Sequence, residues 1–325
     1  MIENLETRIS RLIETIWAEV SQPAGYIALM REAIFAGCSD EGNLQLQLPI
    51  WVQLPDLCCQ AAGGQVGGSD AAAAAWFLLS AAAHILDTVE DMDPPDPWWK
   101  DLGPGVAINA ATGLIFSADA ALQLLEETSK DLTLARQVRA DFQSTLLQMS
   151  AGQHRDLTLG KGTLEGYWQV AAQKSGNFFA LACRSGARFA QISPNSVQAY
   201  GDFGLHLGLL VQLLDDLEPI QRPAQTLSEQ TIREFCRILP VVYAMNVLSN
   251  EERERLASLL RSSIEQPGAF DQSLELVETS GAALYLAAEM EHHRSSALAA
   301  LEKADPRSPW REQLESLVRN VGTKE

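Results

Sequence analysis

Between Ala71 and Leu86 the chain carries sixteen consecutive residues without a charge, AAAAAWFLLSAAAHIL. Alanine and leucine at this density form a helix readily, and a helix that is apolar around its whole circumference has to be enclosed by other elements. The run falls short of the ~20 residues that cross a bilayer. It is therefore expected to be a buried core helix, and no transmembrane segment is expected. Its end is equally informative, because the sequence HILDTVEDMD from His84 to Asp93 places Asp87 and Asp91 four residues apart. That spacing puts both carboxylates on one helix face, one turn above the other. A carboxylate at the end of a buried helix loses hydration, and a cation or donor is expected to face it.

A second stretch repeats the design. Gly204 to Leu214, GLHLGLLVQLL, is apolar and glycine-punctuated and runs straight into Asp215, Asp216, Leu217 and Glu218. Two buried helices ending in carboxylates can hold a divalent metal, and magnesium takes oxygen ligands while bridging carboxylates to substrate phosphates. The alternative for one cluster alone is a solvated helix end, since helix ends are commonly polar. Two clusters with matching apolar approaches favour a metal site formed by Asp87, Asp91 and Asp215. Asp216 is a further candidate, although its side chain points about 100° away around the helix.

Helical periodicity runs through the rest of the chain. Leu5, Ile9, Leu12, Ile13, Ile16 and Val20 form one apolar stripe, which Pro23 and Gly25 end. Further helices are expected over Tyr26–Ala36, Leu44–Ala62 entered at Pro49, Gly105–Leu125 and Ala135–Leu157. Ser69 or Asp70 is the expected N-cap of the central helix. Pro94, Pro95 and Pro97 before Trp98 and Trp99 rule out helix there and make a rigid exit loop or part of a lid. Tyr167–Ala190 reads as one helix interrupted at KSGNFF, and Pro219 and Pro223 as the stop of the helix bearing the second acid cluster. Ile232–Leu248 is expected to be kinked or started at Pro240, and more charged, outer helices follow from Asn250. His84 reads as a satisfied core histidine, and Glu291, His292 and His293 as a solvated face. With no strand-like alternation, the expectation is an all-α protein of many long helices in one domain spanning 1–325.

The net charge of -18 argues against nucleic acid as a partner. An anionic small substrate remains compatible with it where a metal supplies local positive charge. The five cysteines, Cys38, Cys58, Cys59, Cys183 and Cys236, lack metal-ligand spacing, and a reducing cytoplasm suits them.

Several segments, taken in order, resemble the trans-isoprenyl diphosphate synthases, the polyprenyl synthetase group. DTVED from Asp87 to Asp91 is similar to the family's first DDxxD motif, with Thr88 replacing the second aspartate. GPGVAINAATGLIFSADAAL resembles its following helix. Gly152, Gln153, Asp156 and Leu157 resemble GQxxDL, and Lys174, Ser175 and Gly176 resemble KTG. Tyr200 and Gly201 through Gln212, Asp215 and Asp216 resemble the region of QxxDDxxD, with Pro219 replacing its last aspartate. Leu239, Pro240, Tyr243 and Ala244 resemble LPxxYA.

The resemblance implies an isoprenoid-synthase-type helical bundle around a deep pocket, normally a homodimer, in which Mg2+ on the two acid motifs grips an allylic prenyl diphosphate. Lys174 would add fixed positive charge, Gln153 and Gln212 would orient the diphosphate or the cation, and Asp156 belongs to the same substrate-binding set. Small Ala82 and Ala83 one turn below Asp87 leave a pocket open, with Trp76 and Phe77 about 15 Å down the helix as a floor, which suits a chain longer than ten carbons. Family members that use isopentenyl diphosphate carry a GGKxxR segment and an arginine pair. Here those regions read Leu44–Pro49 and Pro97–Lys100, and only Lys100 remains. A variant using a single diphosphate, for prenyl transfer to another acceptor or for cyclisation, is one alternative. A non-catalytic regulatory or structural subunit is the other.

Overall fold

Good helix formers, broken at intervals by glycine and proline, arrange the chain as fifteen α-helices with no strand among the described residues. The computed structural model describes residues 4–18, 24–36, 50–159, 162–221, 227–266 and 268–322. In chain order the helices are α1 (Leu5–Ala18), α2 (Ala24–Ala36), α3 (Leu54–Ala61), α4 (Asp70–Glu90), α5 (Pro104–Thr128), α6 (Leu132–Leu159), α7 (Leu164–Ala171), α8 (Asn177–Arg188), α9 (Pro194–Gln221), α10 (Glu229–Phe235), α11 (Leu239–Val247), α12 (Asn250–Ser262), α13 (Ala269–Thr279), α14 (Ala282–Ala304) and α15 (Trp310–Asn320). They fall into two compact units, each assembled from three stretches of chain.

The first unit comprises residues 1–144, 181–201 and 302–314, and α4 is its axis. Ala72 to Ala75 are wholly buried, and Trp76 and Phe77 nearly so. Helix α5 lies along α4 and presents Ala107, Ala110, Ala111, Leu114 and Ala118 to the core. These small side chains let the two helices approach closely, which gains dispersion contacts along their length. Helix α1 is tied on by the Trp17 indole N–H donating to Ser117 Oγ at 2.9 Å. Arg8 adds a two-ended anchor, 2.9 Å from Asp70 and 3.2 Å from Asp56. Burial raises the Asp56 carboxyl pKa despite the Arg8 charge, so this pair fixes register more than it adds stability.

The second unit comprises residues 145–180, 202–301 and 315–325. Helix α9 crosses α8 and the turn before it with almost no gap. A Cβ on Gly204 would lie 2.4 Å from the Phe179 carbonyl oxygen, and one on Gly208 would lie 2.5 Å from that of Ser175. The glycines noted in GLHLGLL are thus contact points between backbones. Phe235 and Phe270 pack edge to face at 4.9 Å beside Leu256 and Leu260, and Ser249 with Glu252 forms a capping box that starts α12.

Several expectations need correction. Pro219 does not stop α9, which continues to Gln221 with the proline in its final turns, where the missing N–H and the ring clash disturb few remaining bonds. Pro223, Cys38, Val20, Pro23 and Leu44–Pro49 lie outside the described residues. The helix expected over Leu44–Ala62 is, in its described part, a 3-10 turn at Ile50–Gln53 followed by α3. His84 is not in the core: its side chain is 56% exposed and lies 3.5 Å from Asp96. His293 is buried rather than solvated, because it packs against Trp168 and His206. Two other expectations hold, since Pro240 starts α11 after a separate α10 and Ser69 takes the N-cap position of α4, although without a side-chain cap bond.

Candidate active site

In the first unit the acids gather at the C-terminal end of α4. Asp87 and Asp91 are one turn apart, the Asp91 N–H donating to the Asp87 carbonyl at 2.8 Å, and Asp91 is the C-cap. The chain then reverses. Met92 adopts a left-handed φ of 58°, and the Asp93 N–H returns to the Thr88 carbonyl at 2.9 Å, a Schellman closure with methionine where glycine is usual. No basic residue occupies the last turn of α4. Carboxylates at the negative end of a helix dipole are disfavoured until a cation arrives. Thr88 is not available as a ligand: it is buried, and its hydroxyl donates to the His84 carbonyl at 2.9 Å.

The half-open face of α4 carries Ser80, Ala83 and Asp87, spaced three and four residues apart. Trp76 closes this stripe, buried about 16 Å below Asp87 along the axis. Beyond α4 the loop is pinned by Asp96, whose carbonyl accepts from the Trp99 and Lys100 N–H groups at 3.1 Å each. Trp99 is buried while Lys100 is exposed, so this segment is a packed exit loop.

The second unit assembles a polar group from five elements. The interruption at KSG is a π-helical turn, Ala172–Gly176, set between α7 and α8, a feature that frequently marks functional sites. It directs Lys174 to Asp156 on α6, with Nζ 3.4 Å from Oδ2. Ser175 Oγ donates to Gln212 Oε1 at 2.8 Å, and Gln212 Nε2 donates to Asp216 Oδ1 at 3.1 Å. The other oxygen of Asp216 accepts from Tyr167 Oη at 2.6 Å and from the Leu239 N–H at 2.7 Å. Asp216 is 3% exposed. It therefore anchors α9 to α7 and to the start of α11, and its oxygens are already engaged.

Asp215, its neighbour, is exposed. Even so its carboxyl is pushed up to about 6, chiefly by surrounding protein that displaces water, then by the charges of Asp216 and Glu218. Pro219, inside α9, has no N–H to offer the Asp215 carbonyl four residues earlier. The last turn of α9 also lacks a basic residue. Gln153 lies half-buried on α6, its amide enclosed and without a hydrogen-bond partner.

Among the described residues no three histidine, cysteine or acidic side chains converge on one point. Magnesium does not require such a cage, since it keeps several waters and is held by one or two carboxylates together with substrate phosphates. Asp87, Asp91 and Asp215 fit it by donor type and by lying at negative helix ends, whereas Asp216 does not. Tyr167 was not singled out in the sequence. No local pattern distinguishes a helix tyrosine that reaches a buried carboxylate from one that merely packs.

Three comparisons bear on the chain's family and fold. The polyprenyl synthetase family model matches residues 60–277. Octaprenyl diphosphate synthase of Escherichia coli is 28% identical over 162 residues, 48% of this chain and 49% of that protein, so this match spans about half of the relative's length. Tryptophan prenyltransferase ComQ of Bacillus subtilis subsp. natto is 30% identical over 139 residues, 43% of this chain and 41% of that protein. Among solved structures, geranylgeranyl pyrophosphate synthase from Corynebacterium glutamicum, complexed with isoprenyl diphosphate and magnesium, superposes with a TM-score of 0.77 at 19% identity, covering 99% of this chain and 98% of that one.

Proposed function

The chain belongs to the polyprenyl synthetase family, and from that premise we propose that it is a magnesium-dependent prenyltransferase acting on an allylic prenyl diphosphate. The observation that carries this reading is the division of labour between adjacent carboxylates. Asp216 is consumed by three donors, while exposed Asp215 is kept at the negative end of α9 with a raised pKa and gains most from a cation. Asp87 and Asp91 play the corresponding part on α4. Magnesium, when bound, supplies the charge that makes diphosphate a competent leaving group.

The chain's own groups do the rest. Lys174, preset by Asp156, places a fixed positive charge against diphosphate oxygens. The Ser175–Gln212–Asp216 chain holds the π turn in register with α9, so that Lys174 does not drift. On α4 the alanine face would keep water from a prenyl chain lying along it, with Trp76 setting the depth. Chains beyond ten carbons fit that distance, and Ala83→Phe shortens what is accepted.

The reading extends to a cytoplasmic homodimer that does not cross the membrane. Helices α4 and α5 are both long and apolar enough to span a bilayer, with 61% and 44% of the respective apolar windows buried. Phe116 and Ile108 of α5 are 70% and 44% exposed, and a second copy is the cover proposed for that face. Prenyl transfer to an acceptor other than isopentenyl diphosphate is favoured by the exit loop, where Lys100 stands alone as the basic residue beside buried Trp99.

The test is a thermal melt with Mg2+ and farnesyl thiolodiphosphate, which is not cleaved. Together they raise the melting temperature by several degrees, and neither does so alone. No shift with both present leaves the non-catalytic subunit as the reading. Release of diphosphate from farnesyl diphosphate, with and without isopentenyl diphosphate, then separates elongation from transfer elsewhere.

A further inference from the structure

Two glutamines of the second unit carry amide atoms that are closed to solvent and have no hydrogen-bond partner: Oε1 and Nε2 of Gln153 and Oε1 of Gln173. They are neighbours. A Cβ placed on Gly152, adjacent to Gln153, would lie 2.8 Å from Gln173 Cβ, 3.5 Å from its Oε1 and 3.5 Å from Lys174 Cγ. Gln173 is on the π turn that also carries Lys174, and Gln153 follows the glycine that packs against that turn, so both glutamines belong to the segments that meet beside the side chain assigned to the diphosphate. Gln212, by contrast, has both ends of its amide engaged within the protein.

Burying a polar group unpaired costs about 1–3 kcal/mol. Such groups are few in native structures and each calls for an explanation. Three on two adjoining segments point to a ligand that completes them. A diphosphate is the wrong chemistry for two of the three, because its oxygens accept hydrogen bonds and would meet carbonyl oxygens. The alkene end of isopentenyl diphosphate offers no donor either. What satisfies two carbonyl oxygens is an N–H or O–H group.

We infer that Gln153 and Gln173 recognise the N–H or O–H of a second, acceptor substrate, held beside the carbon that loses its diphosphate. The inference rests on the preceding reading that an allylic diphosphate is gripped at Lys174. In the step it serves, the C1–O bond breaks with its electron pair leaving on diphosphate. A pair from the acceptor's nucleophilic atom forms the new bond to C1, and that atom's proton passes to the released diphosphate. Gln153 and Gln173 act as specificity-determining residues by holding the donor group in line.

The experiment uses the full chain saturated with Mg2+ and farnesyl thiolodiphosphate, titrated calorimetrically with indole and with benzothiophene, which has nearly the same shape and no N–H. Wild type binds indole about tenfold more tightly than benzothiophene. In Gln173→Met, which keeps side-chain length and removes the unpaired oxygen, the preference falls to about threefold or less. Because the readout is a ratio, a general loss of affinity does not imitate it. If Gln173→Met fails to melt cooperatively, Gln153→Met is read in the same way. Equal binding of the two probes by wild type, no binding of either, or an undiminished preference in the folded variants overturns the inference and leaves the amides to buried water or to the prenyl cation. A wild type whose melting does not respond to Mg2+ and the diphosphate analogue instead overturns the functional reading itself, and the two failures are thus distinct.

Discussion

Replacing Asp216 separates anchoring from metal binding. In Asp216→Ala the Tyr167 hydroxyl, the Leu239 N–H and the Gln212 amide all lose their acceptor, at a site only 3% exposed. Hydrogen bonds to a charged group contribute about 1.5–3 kcal/mol each, but they are not additive, and removing one member of a buried charged network typically costs about 3–5 kcal/mol. A loss near 4 kcal/mol lowers the melting temperature by roughly 8 °C in a chain of this size. Asp216→Asn is milder. Its one carbonyl oxygen still accepts from Tyr167 and Leu239, while its NH2 meets the donor end of Gln212, whose acceptor end already serves Ser175. One bond is lost, at about 1–2 kcal/mol. Melts and urea titrations of both variants, beside Asp215→Asn, measure the order. Asp215→Asn retains wild-type stability without metal but raises the Mg2+ concentration needed for the ligand-induced shift at least about tenfold. A metal-free Asp216→Ala that melts within 2 °C or so of wild type refutes the anchoring argument.

Three further outcomes follow from the same geometry. Asp215, with a folded pKa of about 6 against 3.8 unfolded, binds its proton more readily in the fold, so its contribution to metal-free stability is fully present below about pH 4 and is lost as pH rises through 6. Mg2+ must displace that proton below pH 6, and the apparent Kd, followed by thermal shift, weakens about fivefold from pH 6 to pH 5, a dependence that Asp215→Asn abolishes. His293 is pushed down to about 4 by burial and by His206 and His292, so the unfolded chain binds the extra proton and stability falls as pH drops from about 6.5 to 4, by about 3 kcal/mol at most. Since the two slopes oppose one another between pH 4 and 6, urea midpoints of His293→Asn and Asp215→Asn are compared with wild type at each pH, and a His293→Asn curve parallel to wild type refutes the assignment. Phe116→Glu places a charge on the exposed face of α5, and sedimentation is expected to show a dimer become a monomer; a wild type already monomeric in buffer refutes that cover.

The helices, and the pairing of each apolar run with its acids, were legible because period and composition act locally. An uncharged, alanine-rich sixteen-residue run reads as an apolar helix, and acids at i and i+4 of a helix share a face. What spacing does not reveal is which face meets what. Asp215 and Asp216 are adjacent in sequence, yet one is open and the other is bonded to Tyr167, 49 positions away. His206 and His293 lie 87 positions apart, and their Nδ1 atoms approach to 2.9 Å, so the burial of His293 comes wholly from packing of α14 against α9 and α7. The KSG interruption was visible, but its form as a π turn depends on Gly208 letting the α9 backbone reach Ser175. Pro219 misled because a proline in the last turns of a long helix loses one bond without ending the helix.

The placement of the acids is itself the strongest physical argument for a cation. Protein helices favour carboxylates in the first turn and bases in the last. Here Asp87, Glu90 and Asp91 close α4, and Asp215, Asp216 and Glu218 close α9, with no base in either last turn. The chain has 24 basic residues against 42 acidic ones, and it uses bases elsewhere where order is needed, as with Arg8 at Asp56 and Asp70 and Arg188 at Asp141. The absence of a base from these two last turns is therefore not a general shortage of bases. Acids concentrated at the negative end of a helix dipole gain from a cation, so neutralisation by an ion arriving with its diphosphate releases free energy where binding precedes chemistry.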